Sequence, residues 1–487
     1  MEKTEESLHS LMEAQRQYYL KGCTKNINMR LAYLKKLEKE IKRNSELIVR
    51  ALKDDFNKPE FEAYTTEIMP VLDDIALFLK KLPAWSGLQR VKTPIKLMAG
   101  SSGFYYNPYG VALVIGTWNY PFNLTMLPVV GAIAAGNCCI VKTSKQSPNT
   151  GRIIKRIVED IFPKEHCAVL ESNVSEKDLL KERFDFIFYT GSTAVGHVIA
   201  EAAAKHLTPV VLELGGKSPC IIDETAELDS TARRIVWGKF TNAGQTCVAP
   251  DYILVHRSIK PSLIEALKKA ITAHYGELLN DWENAHKSTV NSDYARIIHE
   301  RAFQRLEKYI EYYIKPPSDS ANIKGTIVFG GKTYRESLTI YPTIIDNVQW
   351  EDPIMKEEIF GPILPIIEYE DLETTLEILK QKEKTLALYL FSKRKEIQRK
   401  VLRELDFGGC CINGTLLHTA NSNLPFGGIG HSGMGDYHGR WSFEAFSHKK
   451  AVFKKTELLD FSFIYPPYKN KAALLKKWLF GLNQDNY

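Results

Sequence analysis

Apolar residues recur every three or four positions across residues 7–53 and again across 64–81, the period of helices with one buried stripe. From residue 111 the pattern changes. Unbroken apolar runs at 111–116, 139–142, 167–170 and 186–189 alternate with helical periods near 128–135 and 150–161, and glycine, proline or asparagine separates them. Apolar strands alternating with helices predict a parallel sheet covered on both faces. A further strand at 209–213 runs into Gly215 and Gly216, and a second alternating block over 243–391 predicts a second α/β domain. Residues 315–324, with Pro316, Pro317, Ser318 and Ser320, read as an irregular loop. Residues 89–106 read as an arm and 451–455 as a late strand without a local partner, two candidate dimerisation elements, because an open strand edge tends to pair.

Residues 97–141 carry no charged side chain, but Asn119, Pro121, Asn123, Pro128 and Asn137 interrupt the run. A buried strand, a loop and a core helix account for it better than a membrane span. A length of 487 residues allows several buried cores, and 44% hydrophobic with 25% charged residues excludes a disordered or fibrous chain. The net charge of +6 is dispersed, without the basic arm or stripe of a nucleic-acid binder. Eight cysteines without a paired Cys-x-x-Cys point to reduced thiols, neither a disulfide scaffold nor a metal site. No secretory pattern stands in the first 40 residues, so the cytoplasm is the expected location.

Three side chains are candidates for chemistry. Cys247, in Asn242-Ala243-Gly244-Gln245-Thr246-Cys247, follows a glycine turn at the start of an expected helix, where backbone amides favour a thiolate. Glu213 is a lone acid between Leu212 and Leu214 at the end of an apolar strand, so burial raises its carboxyl toward the range of a general base. Asn119 lies just past the end of the strand at 111–116, where open α/β sheets bind ligands, and its amide can donate to an oxyanion. Gly191-Ser192-Thr193-Ala194-Val195-Gly196 follows a strand and opens a helix, so its N–H groups can face a pyrophosphate, although the spacing is not Gly-x-Gly-x-x-Gly.

Together Gly116-Thr117-Trp118-Asn119-Tyr120-Pro121, Glu213-Leu214-Gly215-Gly216-Lys217, Gly244-Gln245-Thr246-Cys247, Glu357-Glu358-Ile359-Phe360-Gly361-Pro362 and Leu424-Pro425-Phe426-Gly427-Gly428 resemble the aldehyde dehydrogenase superfamily, specifically its class 3 branch of fatty and aromatic aldehyde dehydrogenases. The resemblance runs from about residue 30 to 467 and implies an α/β fold with three parts. These are a Rossmann-type cofactor domain (1–88 and 108–212), a catalytic domain (213–413) and an oligomerisation arm (89–107 and 414–460), followed by a tail at 461–487. It implies NAD(P)-dependent oxidation of apolar aldehydes to acids through a thiohemiacetal and thioester on Cys247, an oxyanion held by Asn119, and water activated by Glu213. An acylating enzyme would dispense with Glu213, and a non-catalytic relative would show a broken set. Trp118, Lys142, Gly191, Ser192, Gly196, Glu358 and Phe360 are the implied cofactor residues, and Tyr120, Trp237, Phe426 and His438 the implied pocket wall. The branch also implies a homodimer.

One position departs from the family pattern. Lys142-Thr143-Ser144-Lys145 stands where Lys-Pro-Ser-Glu is usual, so a cation replaces the carboxylate that meets the adenosine 2′-hydroxyl, and NADP use is expected alongside NAD. In the tail Leu474, Leu475, Trp478, Leu479 and Leu482 fall on one helical face beside Lys471, Lys476 and Lys477. That basic amphipathic pattern suits the substrate entrance, an anionic membrane surface, or packing on a subunit.

Overall fold

The computed structural model describes residues 2–97, 100–170, 174–280, 293–315, 324–457 and 462–480. The chain forms two compact units, one of residues 1–83 with 107–448 and one of 84–106 with 449–487.

In the larger unit a six-stranded sheet runs in the order Gly433–Met434, Val210–Glu213, Phe186–Thr190, Val111–Ile115, Cys138–Lys142, Cys167–Leu170. All neighbours are parallel except the first pair. Every residue of the three central strands is buried, which is why they are continuous apolar runs. The chain steps outward from Val111–Ile115 in one direction and then returns to its other side with Phe186–Thr190. The loops leaving these two strands therefore open a crevice at their C-terminal ends, the place where doubly wound sheets bind ligands.

The uncharged stretch continues into the helix Asn123–Ala135, whose residues 124–135 are all buried and which Gly136 ends in a left-handed conformation, φ 97°. The long helical pattern near the N-terminus resolves into Glu2–Leu20, Ile27–Arg43 and Ser45–Phe56, interrupted by a turn at Gly22, φ 76°, and by Asn44. Farther on, the helix Glu60–Ala63 widens into a π turn over Tyr64–Ile68.

A second sheet has the order Thr326–Phe329, Thr343–Asp346, Ile363–Tyr369, Tyr252–His256, Pro219–Ile222, Thr385–Phe391, Phe407–Ile412, antiparallel only at its first pair. The chain crosses from the first sheet to the second through Gly215 and Gly216, between Glu213 and Pro219. Of the loop expected at 315–324, residues 316–323 lie outside the described residues.

The smaller unit is a three-stranded sheet, Gln89–Val91, Gly100–Pro108, Ser447–Lys455, followed by the helix Lys471–Phe480. The late strand, which has no local partner, pairs with Gly100–Pro108, some 340 residues earlier. Residues 414–448, expected in the arm, belong to the larger unit, where Gly433–Met434 borders Val210–Glu213. Among the described residues no helix is long and apolar enough to cross a membrane.

Candidate active site

A cavity of about 660 Å³ occupies the crevice, and Asn119, Glu213, Cys247 and Glu358 all line it. Trp118, Gly191, Ser192 and Phe360 line it as well, with the Trp118 ring edge-on to Phe360 at 5.4 Å. Thus loops associated with both sheets converge on one space.

Cys247 is not at a helix start. It sits in a turn between the 3-10 segment Thr241–Gly244 and the strand Tyr252–His256. Burial pushes its thiol far above the ordinary value, and the carboxyls of Glu358 and Glu213 add to this, outweighing its own N–H and that of Val248. The surroundings of Cys247 therefore oppose the thiolate that a helix start would favour.

Glu213 is 2% exposed, and neither carboxylate oxygen has a hydrogen-bond partner among the described residues. Burial, then the Asp436 charge, hold its carboxyl well above the usual range. Glu358 is pushed up to about 8 by burial and by Asp251, against the Gly216 N–H, Lys217 and Arg305. Its backbone is fixed from two sides: Asp251 accepts the Ile359 N–H at 2.9 Å, and Arg305 donates to the carbonyls of Glu358 and Ile359 at 3.2 and 2.5 Å.

Asn119, 3% exposed, donates from its side-chain amide to the Gln245 carbonyl at 3.1 Å, while its own carbonyl accepts from the Asn242 side chain at 2.9 Å. One amide proton of Asn119 is thus engaged with the Cys247 loop and the second is available to a ligand oxygen.

The cleft suits a dinucleotide. Ser192 caps the helix Thr193–Ala204, presenting its free N–H groups beside Gly191. A Cβ on Gly191 would come within 2.2 Å of the Tyr189 hydroxyl, and one on Gly196 within 2.7 Å of Leu214, so both close approaches need glycine. Lys142, Lys145 and Gly196 are not among the residues lining the cavity. Lys142 ends its strand 3% exposed, with Nζ 3.1 Å from Glu176 Oε1. Burial raises the Glu176 carboxyl, but its backbone N–H, Lys142 and Lys145 outweigh burial and hold it below the usual range. A carboxylate therefore does stand beside this lysine pair, contributed by Glu176, which no motif signalled.

The four pocket candidates do not line the cavity either. Phe426 and His438 stack at 5.0 Å, and Tyr437 meets both rings edge-on. Burial, then His418, push His438 down to about 4, so this wall carries no charge at neutral pH. Tyr120 is buried with its hydroxyl 2.7 Å from Thr246 Oγ1, while Trp237 is 42% exposed. Among the described residues no cluster of three His, Cys, Asp or Glu is arranged for a metal.

A thiol, a lone buried acid and a side-chain amide thus meet at the crevice of a doubly wound sheet. The chain belongs to the aldehyde dehydrogenase family, whose sequence model, described as "Aldehyde dehydrogenase family", matches residues 2–452. It is 44% identical over 454 residues to 4,4'-diaponeurosporen-aldehyde dehydrogenase of Staphylococcus aureus (strain NCTC 8325 / PS 47), covering 93% of this chain and 95% of that protein. It is 41% identical over 463 residues to the dimeric NADP-preferring aldehyde dehydrogenase of Canis lupus familiaris, covering 94% and 98%. Among solved structures it is similar to the substrate-bound state of Staphylococcus aureus AldH, with TM-score 0.90, 41% identity and coverage of 97% and 99%. The activity is NAD(P)-dependent oxidation of an aldehyde.

Proposed function

We propose that the protein oxidises apolar aldehydes to carboxylic acids, with Cys247 as nucleophile, Asn119 as oxyanion donor and Glu213 as hydrolytic base. The observation that carries this reading is the convergence of Asn119, Glu213 and Cys247 on one cavity together with Glu358. Bound NAD or NADP supplies the hydride acceptor. Cys247 Sγ passes its proton to Glu213 and bonds to the carbonyl carbon, the new oxyanion accepts hydrogen bonds from the free amide N–H of Asn119 and from the Cys247 N–H, and Glu213 then releases that proton to solvent. Loss of hydride from that carbon leaves a thioester. Ionised Glu213 then takes a proton from water, the hydroxyl adds to the carbonyl, and the acid departs with Cys247 regenerated.

The apolar-substrate reading rests on the motifs that resemble the fatty and aromatic branch, because Phe426 and His438 do not line the cavity. Trp118, Glu358 and Phe360 hold the nicotinamide end, Gly191, Ser192 and Gly196 the pyrophosphate, and Lys142 and Lys145 the adenosine ribose. Both cofactors are accepted: Lys145 pairs with a 2′-phosphate, and Glu176 favours a free 2′-hydroxyl. The dimeric state in the name of the canine relative supports a homodimer here, built on the 89–107 and 414–460 segments.

The protein is cytoplasmic, with its tail resting on anionic lipid. Leu474, Leu475, Trp478 and Leu479 on the helix Lys471–Phe480 are 61%, 45%, 75% and 53% exposed, beside three lysines, while Leu482 lies outside the described residues. The test of the catalytic reading is initial rates with a medium-chain aldehyde and each cofactor. Cys247→Ser should abolish cofactor reduction, and Glu213→Gln should retain one stoichiometric burst but lose steady turnover. Full steady turnover in Glu213→Gln would refute the assignment of the base.

A further inference from the structure

The helical segment before the first sheet reaches both loops that carry the chemistry. Lys58 and Glu67 are 1% and 0% exposed, with Lys58 Nζ 2.6 Å from Glu67 Oε1 and 3.8 Å above the Tyr120 ring. A buried ion pair is weak evidence for stability, because desolvation offsets the attraction, so what it fixes in place matters more. Glu67 Oε2 accepts the N–H of Phe122 at 3.1 Å and of Asn123 at 2.9 Å, which anchors the end of the Asn119 loop where it enters the helix Asn123–Ala135. Tyr120, under the lysine, reaches Thr246, the neighbour of Cys247.

Glu62 holds the other loop, accepting the backbone N–H of Asn242 at 2.9 Å. Asn242 and Ala243 both occupy the left-handed region, φ 56° and 52°, a conformation that costs a non-glycine residue about 1 kcal/mol or more and persists only where its surroundings fix it. Held in this way, the Asn242 side chain donates to the Asn119 carbonyl at 2.9 Å and to the Gln245 carbonyl at 3.1 Å. The π turn over Tyr64–Ile68 lies between the two acids. In a regular helix, residues five apart such as 62 and 67 point about 140° away from each other. The wider i→i+5 turn narrows that angle and lets one segment serve two loops.

We propose that Lys58, Glu62 and Glu67 form a positioning network that keeps the Asn119 amide and the Cys247 turn in register, none of the three touching the aldehyde. The proposal rests on the catalytic reading above and deepens it. The charged and titratable groups facing Glu62 are Lys58, Asp293, Tyr120, Tyr275 and Tyr294. Burial pushes the Glu62 carboxyl up to about 7, Lys58 and the Asn242 N–H oppose this, and Asp293 adds to it. As pH falls through 7 the carboxylate takes a proton, and the Asn242 N–H loses its charged acceptor.

The experiment compares full-length wild type, Glu62→Ala and Glu62→Gln, with competent sites counted by stoichiometric alkylation of Cys247. Glu62→Ala should lower kcat per site by about 10- to 100-fold, with cofactor Kd changed less than about twofold. Glu62→Gln, which keeps a neutral acceptor, should recover most of that loss and flatten the dependence of kcat on pH between about 6 and 7.5 relative to wild type. Should Glu62→Ala not fold, Tyr120→Phe, which removes only the hydroxyl on Thr246, carries the same kcat expectation. Unchanged kcat per site with a lowered Tm would reduce the network to a structural prop and overturn the proposal. A wild type without Cys247-dependent turnover would sink the catalytic reading instead. The network would then be judged by the rate of Cys247 alkylation, which Glu62→Ala must change by about fivefold or more.

Discussion

Gly215→Ala is the sharpest single perturbation of the cavity wall. Gly215 is not in the left-handed region, so the backbone accepts alanine and the whole effect comes from the added carbon. That carbon would lie 2.0 Å from Glu358 Oε2 and 2.8 Å from Glu358 Cδ, whereas ordinary contact begins at 3.4 Å. The Glu358 backbone is pinned by Asp251 and Arg305, so the side chain must yield, by about 1.4 Å at its oxygen. If Glu358 orients the nicotinamide ribose, a displacement of this size costs roughly 100-fold in kcat/KM. Expressed as a barrier, this is about 2.7 kcal/mol. The assay is steady-state cofactor reduction, with Gly276→Ala as control. Gly276 lies in the helix Lys260–Asn280, and its nearest obstacle is the Thr272 methyl at 3.2 Å, so that variant should keep wild-type rates. A double-mutant cycle isolates the mechanism. In a Glu358→Ala background the clash is gone, and Gly215→Ala should cost less than about 0.5 kcal/mol further. Equal losses in both backgrounds, or a single variant within about twofold of wild type, would refute the argument.

Three further outcomes follow from the same geometry. Alkylation of Cys247 in the cofactor-free enzyme should be slow at pH 7 and rise in proportion to hydroxide through pH 9, because the folded environment raises the thiol; a plateau below pH 8 in rate against pH would contradict this. Glu176→Gln removes the carboxylate beside Lys142 and should lower KM for NADP relative to NAD by about 10-fold, read from parallel kinetics, and an unchanged ratio would detach Glu176 from the ribose site. Truncation after Tyr468 should abolish sedimentation with phosphatidylserine vesicles while leaving kcat on a short aldehyde unchanged, and retained vesicle binding would remove the tail from the membrane reading.

The α/β fold was legible because its strands are buried on both faces. Val111–Ile115 and Cys138–Lys142 are runs without a polar interruption until the lysine at the end, and no helix or hairpin explains such runs at that length. Cys247, Glu213 and Asn119 were legible through their flanking glycines and prolines. These glycines mark close approaches that a side chain would block, as at Gly244, where a Cβ would meet the Gly361 carbonyl at 2.4 Å. The backbone setting of Cys247 was not legible. A glycine turn before a cysteine resembles a helix start, and only the structure shows the chain running on into the strand Tyr252–His256. Lys58, Glu62 and Glu67 were hidden for a different reason. On an amphipathic helical segment a charged residue reads as a solvated face, and nothing local distinguishes an acid aimed at Asn242, 180 positions away. The partner of the late strand escaped for the same reason, since pairing at long sequence separation leaves no trace in local periodicity.

The electrostatics of the site explain why its acids and its thiol must be considered together. Glu213, Glu358 and Cys247 each raise, or are raised by, a neighbour in the set, and all three are lifted first by burial. Burial therefore disfavours the anion at all three groups, so no two of them become charged together at low cost. The charges become available in a dependent order. Ionising Cys247 beside an ionised Glu213 places two anions in a desolvated space, so the favoured sequence spends the thiolate in bond formation before Glu213 must be ionised to take a proton from water. A neutral Glu213 during attack also avoids repelling the oxyanion that Asn119 receives. Both steps need protons removed, so the alkaline side of the rate profile is where turnover rises. Among the described residues neither Glu213 oxygen has a hydrogen-bond partner, as suits a group kept free for water rather than committed to a structural bond.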